Sequence, residues 1–576
     1  MAETAEAVRL FPAWRLPRLS GPQLAMVLLL AGLGFYILYP PFLILVNSFN
    51  TARIGQPAVY SLHAWQEAWR TPGLFQSLWN TLWLAFWYQL ISFPVSILLA
   101  WLLARTNIPG ARKLELMFWL SFFIPALSTT LGWMLLLDPR TGLINQILVG
   151  GLDLARGPFN VYSFWGIVWV HLMSHELSFK VMLLTPAFRN MDGALEESSR
   201  MAGAGQLRTL LRVTLPVLTP ALVIVFMLGL VRLFESFEIE LLLGVPFKFF
   251  VYSTKILDLV RDEPPHTAQA TALGSVTLLL LLIVAPLQRW LTTRRSFTTV
   301  TGRMRPSVID LGRGRWPVFA LVLLLGAMLV LVPIFSVVAA SFMTRFGFFN
   351  LAHPWTLAHW TQALHDSVFV RSVRNTLTIA LTVATVGPLL FSIVAYMIVR
   401  ARVWGRGALD LIVWAPSVMP GALAGLGLLW MFLGTPVFNP FYGTLFLLII
   451  ASMMGGVTFA TQTLKATLLQ LGHELEEASR TSGASWLLAY FRIILPLLAP
   501  TLIVVATLKF LFAANDTSRV ILLATSDTRT LSLLTLDYVR EGLRESAAVT
   551  TVIITSLTVM VALVARRLGF NMGIRA

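Results

Sequence analysis

Apolar runs of about 20 residues recur along the whole chain, separated by short polar segments. Each run is long enough to cross a bilayer as a helix, because a helix rises about 1.5 Å per residue through a hydrocarbon core about 30 Å thick. Run length predicts about twelve spans. They lie near residues 23–47, 80–104, 114–137, 161–186, 214–243, 271–290, 317–341, 375–399, 410–433, 441–467, 495–524 and 547–565. The pattern therefore predicts an all-α polytopic membrane protein.

Composition agrees with this interpretation. The chain is 57% hydrophobic and 12% charged, with a mean hydropathy of +0.76, whereas soluble domains carry about twice that charged fraction. The net charge of +16 is spread over the loops between apolar runs and forms no single basic patch, so we expect no nucleic-acid partner. The absence of cysteine excludes a disulfide framework and cysteine-based metal sites.

The distribution of positive charge predicts the orientation. With a cytoplasmic N-terminus, the inner segments hold roughly 25 Lys and Arg and the outer segments roughly 13. The loop Arg289–Arg315 alone contains seven arginines and lies inside under this assignment. Arg9, Arg15 and Arg18 precede the first apolar run without a small-residue cleavage site, so we expect that run to be retained as a span. Both termini are therefore expected in the cytoplasm.

The chain contains an internal repeat. Residues 77–82 match residues 372–377 at an offset of 295, and residues 195–216 match residues 475–496 at 11 of 22 positions. About six spans fall in each copy, and an even number gives both copies the same orientation, with a pseudo-two-fold axis along the membrane normal. We expect a first repeat at 1–295, a cytoplasmic linker at 296–316 and a second repeat at 317–576.

The best-matched block lies between the fourth and fifth spans of each repeat, on the cytoplasmic side. Each copy predicts a short polar helix, a glycine suited to a left-handed helix end, and a second short helix that reaches Leu-Pro at the next span. We call residues 191–216 the first elbow and residues 471–496 the second elbow. A lone elbow could merely anchor two spans, but two such similar copies favour a shared partner surface. The candidate contact residues are Glu196, Glu197, Arg200 and Gly203, with Glu476, Glu477, Arg480 and Gly483.

The elbow sequences resemble the coupling-helix motif of ABC importer permeases. The matching residues are Glu197-Ser-Ser, Gly203 and Leu215-Pro216, then Glu477-Ala-Ser, Gly483 and Leu495-Pro496, with serine partly replacing alanine. In that family each motif docks on one ATP-hydrolysing subunit. The resemblance implies the type I importer permease fold in a bacterial inner membrane. It also implies two cytoplasmic ATPase subunits and a separate solute-binding protein as partners.

A second resemblance concerns the solute. The linker residues 296–313 and the segments 234–246 and 251–265 are similar to fused ferric-iron-type permeases. The second repeat departs from that group, with Ala513-Ala-Asn515-Asp516-Thr where a Glu-Leu-Pro-Ala-Thr-like segment is expected. Ferric iron is the leading solute on this resemblance, and thiamine, polyamines, phosphonates and other small organic solutes remain open.

Ionisable groups at membrane depth usually face a cavity or a partner. The candidate lining of a translocation path is His175, Glu176, Glu235, Glu238, Asn515 and Asp516. The alternative is internal pairing at helical spacing, of Glu176 with Lys180 and of Arg232 with Glu235. His171 and His175 share a helix face, but the sequence offers no clear third ligand, so we expect no metal site and no cofactor.

The chain has no phosphate loop and no hydrolase or metalloprotease motif. We therefore expect no enzymatic activity, and energy and solute capture must come from partner proteins. Two other functions remain open at this point. One is a secondary carrier driven by an ion gradient, and the other is a membrane enzyme or assembly scaffold, against which the lack of a clustered catalytic set argues.

Overall fold

The computed structural model describes residues 20–52, 56–233, 237–293, 308–401 and 403–567, with all their side chains except those of residues 231–233, 281–293, 418 and 566. Across these ranges the chain is built from helices. Its strand-like contacts there are isolated bridges, one of which joins Thr106 to Ile309. The predicted all-α polytopic architecture is confirmed.

Seven helices in the described part are long and apolar enough to cross a membrane. They are Gly21–Asn47, Leu74–Arg105, Phe164–Arg189, Gln206–Leu230, Gly312–Phe342, Ser367–Val399 and Arg544–Ala565. Four further pairs of shorter helices qualify jointly but are bent. They are Ala111–Phe122 with Ala126–Leu137 (100°), Arg406–Ser417 with Gly421–Gly434 (111°), Leu445–Met454 with Val457–Gln470 (52°), and Trp486–Leu497 with Ala499–Ala514 (75°).

The described part thus has 7 spans, or up to 11 if each bent pair counts as one, against the twelve or so expected. The remaining predicted span, 271–290, lies on the helix Thr267–Thr293. Its apolar stretch can be followed only over Thr267–Leu280, because the later side chains lie outside the described ones.

The bends have local causes that a hydropathy pattern does not register. Pro125 and Pro420 occupy the position before the second helix of their pairs, with extended ψ angles of 145° and 141°. A proline also disfavours the helical conformation of the residue before it, so the first helix ends there. Gly456, with φ at 71°, separates the third pair. Three spans predicted as continuous are therefore broken at these residues.

Two of the predicted spans also extend beyond the helix that the structure contains. The segment 214–243 is a helix Leu215–Leu233 followed by a short helix Glu238–Leu243. The segment 495–524 contains the helix Ala499–Ala514, after which the chain continues in turns. Glu238 therefore begins a separate short helix, and Asp516 lies beyond the end of its helix.

The first helix of each predicted repeat packs on the other repeat. Helix Gly21–Asn47 lies against Gly421–Gly434, and helix Arg315–Phe342 lies against Ala126–Leu137. A glycine permits each close approach. A Cβ at Gly427 would lie 2.8 Å from the Pro40 carbonyl oxygen, and one at Gly132 would lie 2.9 Å from Pro333 Cα. The two predicted repeats are consequently interlocked.

Candidate functional site

The first elbow begins with the short helix Ala194–Met201. Gly203 follows with φ at 84°, a left-handed conformation that glycine adopts without a steric penalty. The chain then forms a second short helix from Gln206, passes through a π-helical turn at Leu210–Thr214 and enters the helix Leu215–Leu233. The predicted left-handed end at Gly203 is confirmed.

The second elbow has the same sequence of elements. Helix Glu474–Thr481 precedes Gly483, whose φ is 87°, and a π-helical turn again follows at Tyr490–Ile494. A Cβ at Gly203 or Gly483 would meet no atom within 4 Å. Backbone conformation therefore requires these glycines, and both lie on open surface.

A buried ion pair anchors each elbow to the end of a long helix. Arg105 Nη2 donates a hydrogen bond of 2.5 Å to the Met191 carbonyl oxygen, and its Nε lies 3.8 Å from Glu196 Oε2. Thr214 donates to the other oxygen of Glu196 at 2.8 Å. Glu196 thus joins the two ends of the first elbow.

The second elbow is anchored by the corresponding residues. Arg400 Nε lies 3.9 Å from Glu476 Oε2, and Arg400 Nη2 donates to the carbonyl oxygens of Leu468, Leu471 and Gly472. The Tyr396 hydroxyl donates to Glu476 at 2.5 Å. The predicted contact residues therefore divide: Glu196 and Glu476 face inward and hold the elbow.

The remaining predicted contact residues lie nearer the surface. Glu197, Glu477 and Arg480 are exposed, and Arg200 is partly buried. Large apolar side chains are exposed beside them: Leu195, Met201, Leu207 and Leu211 on the first elbow, and Leu475, Leu487, Leu488 and Phe491 on the second. Met201 is 89% exposed. Apolar groups exposed together, with charged residues around them, are typical of a protein-binding surface.

A central cavity of about 170 Å³ lies among the predicted path residues. Its lining is Tyr88, Ala126, His171, Ser174, His175, Glu176, Phe237, Glu238, Ile239 and Ser518. Both predicted repeats contribute, since Ser518 comes from the second. Thr517, also of the predicted second repeat, lies close enough to Glu238 to interact with its side chain. The structure therefore brings His175, Glu176 and Glu238 to one cavity where the repeats meet.

The other predicted path residues are placed as follows. Asp516 is buried and is not part of the cavity lining; its Oδ2 lies 3.3 Å from Arg519 Nη1, and its backbone oxygen accepts a hydrogen bond from Ser532. Asn515 ends the preceding helix, and its buried Oδ1 has no donor among the described residues. Glu235, and the side chain of Arg232 with which it could pair, lie outside the described part of the chain.

Glu176 pairs with Lys180, which is the alternative that the sequence offered to a role in the path. Lys180 Nζ lies 2.8 Å from Glu176 Oε2 and donates to Ser92 Oγ at 2.6 Å. His171 does not face an ion together with His175, because its Nε2 lies 2.7 Å from Glu240 Oε1. Within the described residues no group of three or more His, Asp or Glu side chains could hold a metal ion.

The second repeat has a buried lysine at the matching break in its fourth span, which inspection of the sequence missed. Lys509 Nζ donates to the carbonyl oxygens of Met453 (2.8 Å) and Gly455, between helices Leu445–Met454 and Val457–Gln470. In the first repeat the break is at Ser174, whose ψ is −121°. The sequence feature that could have revealed Lys509 is a single lysine within an otherwise apolar helix.

Comparison with known proteins finds similarity to transport permeases. Residues 387–572 match the family described as binding-protein-dependent transport system inner membrane component. A ferric transport system permease protein of Actinobacillus pleuropneumoniae is 28% identical over 390 residues, which are 66% of this chain and 55% of that protein. The chain thus matches only about half the length of that relative.

Two further comparisons cover about half of the chain. A putrescine transport system permease protein of Escherichia coli K12 is 27% identical over 252 residues, 43% of this chain and 89% of that protein. A chain in the crystal structure of a bacterial alginate ABC transporter is 24% identical, with 48% of this chain and 96% of that chain covered and a TM-score of 0.41. The family match over residues 387–572 thus covers about a third of the chain, and over that part the chain is similar to binding-protein-dependent transport system inner membrane components.

Proposed function

We propose that the chain is the membrane-spanning permease of an ATP-driven importer, in which two repeats move a small solute inward by alternating access. The observation that carries the proposal is the pair of matching elbows. Each elbow holds a left-handed glycine on open surface, and each is fixed from inside by a buried Arg–Glu pair. A rigid anchor of this kind transmits movement of an external partner to the helices behind it.

The surface of the elbows supports two cytoplasmic ATPase subunits as partners. At an offset of 280 residues the exposed apolar positions correspond: Leu195 with Leu475, Leu207 with Leu487 and Leu211 with Phe491. Two similar surfaces suit two copies of one partner, because the same chemistry is offered twice. The described part contains no phosphate loop, so hydrolysis belongs to the partner.

The central cavity supports the path. Its carboxylates, Glu176 and Glu238, come from different helices, and Ser518 closes it from the second repeat. A site between two repeats can open to each side of the membrane in turn as one repeat rocks against the other. Movement of the elbows, which precede the fifth span of each repeat, would change that cavity directly.

The solute we propose is ferric iron, with a polyamine as the alternative. The names of two relatives, a ferric and a putrescine permease, support these two choices. Both solutes are cations, which the carboxylates of the cavity would favour over an anion. The cavity lining supplies too few ligands for full coordination of a metal, which suits a path that must release its ion rather than store it. Recognition then falls to a solute-binding protein on the outer side.

Uptake measurements test the proposal. Cells that lack the chain and cells that carry it would be given labelled ferric iron or putrescine, with a protonophore present and cellular ATP maintained. We expect uptake of one solute to require the chain and to survive the protonophore. Uptake abolished by the protonophore at constant ATP would instead establish a secondary carrier. Unchanged uptake without the chain would favour the scaffold.

A further inference from the structure

The end of the linker is bound to the loop that follows the helix Leu74–Arg105. Ile309 N donates to the Arg105 carbonyl oxygen at 2.8 Å, and Asn107 N donates to the Ile309 carbonyl oxygen at 3.1 Å. These two bonds form the parallel bridge between Thr106 and Ile309. Thr106 and Ile309 are 7% and 4% exposed, so the bridge is an integral part of the packed structure. We call residues 105–107 and 309–312 together the linker bridge.

Side-chain hydrogen bonds of Asn107 and Asp310 reinforce the linker bridge. Asn107 Nδ2 donates to Asp310 Oδ1 at 2.5 Å, while Asn107 Oδ1 accepts from Leu311 N at 3.0 Å. Asp310 Oδ1 also accepts from Gly312 N at 2.8 Å. Both ends of the Asn107 amide are therefore used, and a residue without one donor and one acceptor in this place cannot replace it.

The linker bridge stands directly between two mechanically important elements. On one side is Arg105, whose guanidinium bonds to Met191 and lies beside Glu196 of the first elbow. On the other side, Gly312 leads within three residues into the helix Arg315–Phe342, which packs on the first repeat. A force on the first elbow thus reaches the first helix of the second repeat through a few bonded residues.

We propose that Asn107 and Asp310 are a positioning pair that couples the first elbow to the first helix of the second repeat. The inference rests on the proposed function, because it assigns the pair a part in converting ATP hydrolysis into transport. The repeat does not carry the pair twice. The position matching Asn107 at an offset of 295 is Arg402, so this device belongs to the first elbow alone.

An exchange of the two side chains tests the pair. Asn107→Asp sets two carboxylates against each other and removes the donor. The double variant Asn107→Asp/Asp310→Asn restores the bond between the two side chains with the roles reversed and keeps the acceptor for Leu311 N, but it gives up the bond from Gly312 N, which shares Asp310 Oδ1. In proteoliposomes with ATPase and binding protein, we expect Asn107→Asp to lower solute transported per ATP hydrolysed about fivefold to tenfold. The double variant should recover much of the lost ratio, as a coupled pair does in a mutant cycle.

A matched control separates positioning from general damage. Asp153→Asn changes an exposed acid in a loop between two other helices and should leave the ratio unchanged. A wild-type ratio in Asn107→Asp, or no rescue by the double variant, would overturn the pairing.

A cross-link keeps the inference testable if the proposed function is wrong. The chain has no cysteine, so Thr106→Cys/Ile309→Cys introduces a single possible disulfide within each molecule. Paired bridge residues lie within the reach of a disulfide. Efficient cross-linking in membranes supports the linker bridge even where wild-type protein shows no ATP-dependent uptake. Failure to cross-link under oxidation would contradict the bridge itself.

Discussion

Arg105 Nε lies 3.8 Å from Glu196 Oε2, and each of the two side chains is 1% exposed. The same relationship recurs between Arg400 and Glu476, where Nε and Oε2 are 3.9 Å apart. In both places an arginine that ends a long helix holds the start of an elbow. The elbows are therefore fixed to the helix bundle by buried charge rather than resting loosely on its surface.

Loss of the buried carboxylate should destabilise the protein. Glu196→Ala leaves the Arg105 guanidinium buried without its partner, and breaking a buried pair in this way costs about 3–5 kcal/mol. We expect a clearly lower melting midpoint in detergent and reduced ATP-driven uptake. The neighbouring exposed Glu197→Ala is the matched control and should melt as the wild type does. Equal midpoints for the two variants would show that the pair does not anchor the elbow.

Substitution of both elbow glycines should uncouple transport while the protein still inserts. Gly203→Asp/Gly483→Asp costs about 1 kcal/mol of backbone strain at each site and adds charge to the proposed partner surface. We expect uptake to fall at least about tenfold with ordinary membrane levels, since a buried charge at an interface is costly. Uptake and membrane content would be measured on the same cells.

Gly542 is the matched control for that experiment. Its φ is 82° and a Cβ there would meet no atom within 4 Å, as at the elbows, but it precedes the helix Arg544–Arg567 on the side expected to be outside. Gly542→Asp therefore imposes the strain of one such site, half that of the double variant, without touching an elbow. Full transport by the elbow variant would remove the coupling role, and equal loss in both variants would point to strain alone.

The elements that the sequence predicted well are those with a local cause. Apolar run length located the helices, and the repeated glycine predicted left-handed ends at Gly203 and Gly483, because only neighbouring residues decide these features. The same is true of the Glu176–Lys180 pair, whose members lie one helical turn apart. Such features need no knowledge of the rest of the fold.

The features that escaped prediction depend on residues far apart in the chain. Glu196 was grouped with surface residues because nothing in its neighbourhood reveals Arg105, 91 positions earlier. Lys509 reaches carbonyl groups more than 50 positions away, at a break that hydropathy does not register. The bends at Pro125 and Pro420 were hidden for another reason, since span length was counted without the effect of proline on the preceding residue.

Lys509 should stabilise the break in the fourth span of the second repeat. Lys509→Met leaves the carbonyl groups of Met453 and Gly455 without these donors, a loss of about 1–3 kcal/mol for a buried charged hydrogen bond. We expect a lower melting midpoint in detergent. Lys465→Met, which removes a partly exposed pair with Asp410, should cost less than about 1 kcal/mol. A larger effect at Lys465 would contradict the assignment.

The linker bridge of the wild type should be insensitive to mild acid. The variant Asn107→Asp, in which two carboxylates face each other, should respond to it. The Gly312 amide, then the Asn107 side chain, lower the pKa of Asp310 below its usual value. Because the pKa of Asp310 is lower in the folded protein, the stabilisation by Asp310 is fully present above the pKa of the unfolded state. It is lost only as pH falls through the pKa of the folded state. In Asn107→Asp the adjacent carboxylates raise one pKa, because they repel each other. Lowering pH from about 7.5 to about 5.5 should therefore partly restore transport per ATP in that variant alone.

Glu238 should control passage of the solute through the central cavity. Glu238→Gln keeps the shape and the contact with Thr517 but removes the charge that faces the cavity, so a cationic solute loses a favourable interaction there. We expect uptake of ferric iron or putrescine to fall about threefold to tenfold, with ATPase activity retained, since the elbows are unchanged. Glu263→Gln, at an exposed site outside the cavity, is the matched control. Glu235→Gln, measured beside it, tests the path role expected for that residue. Normal uptake by Glu238→Gln at normal membrane levels would mean that Glu238 joins the two repeats through Thr517 and takes no part in the path.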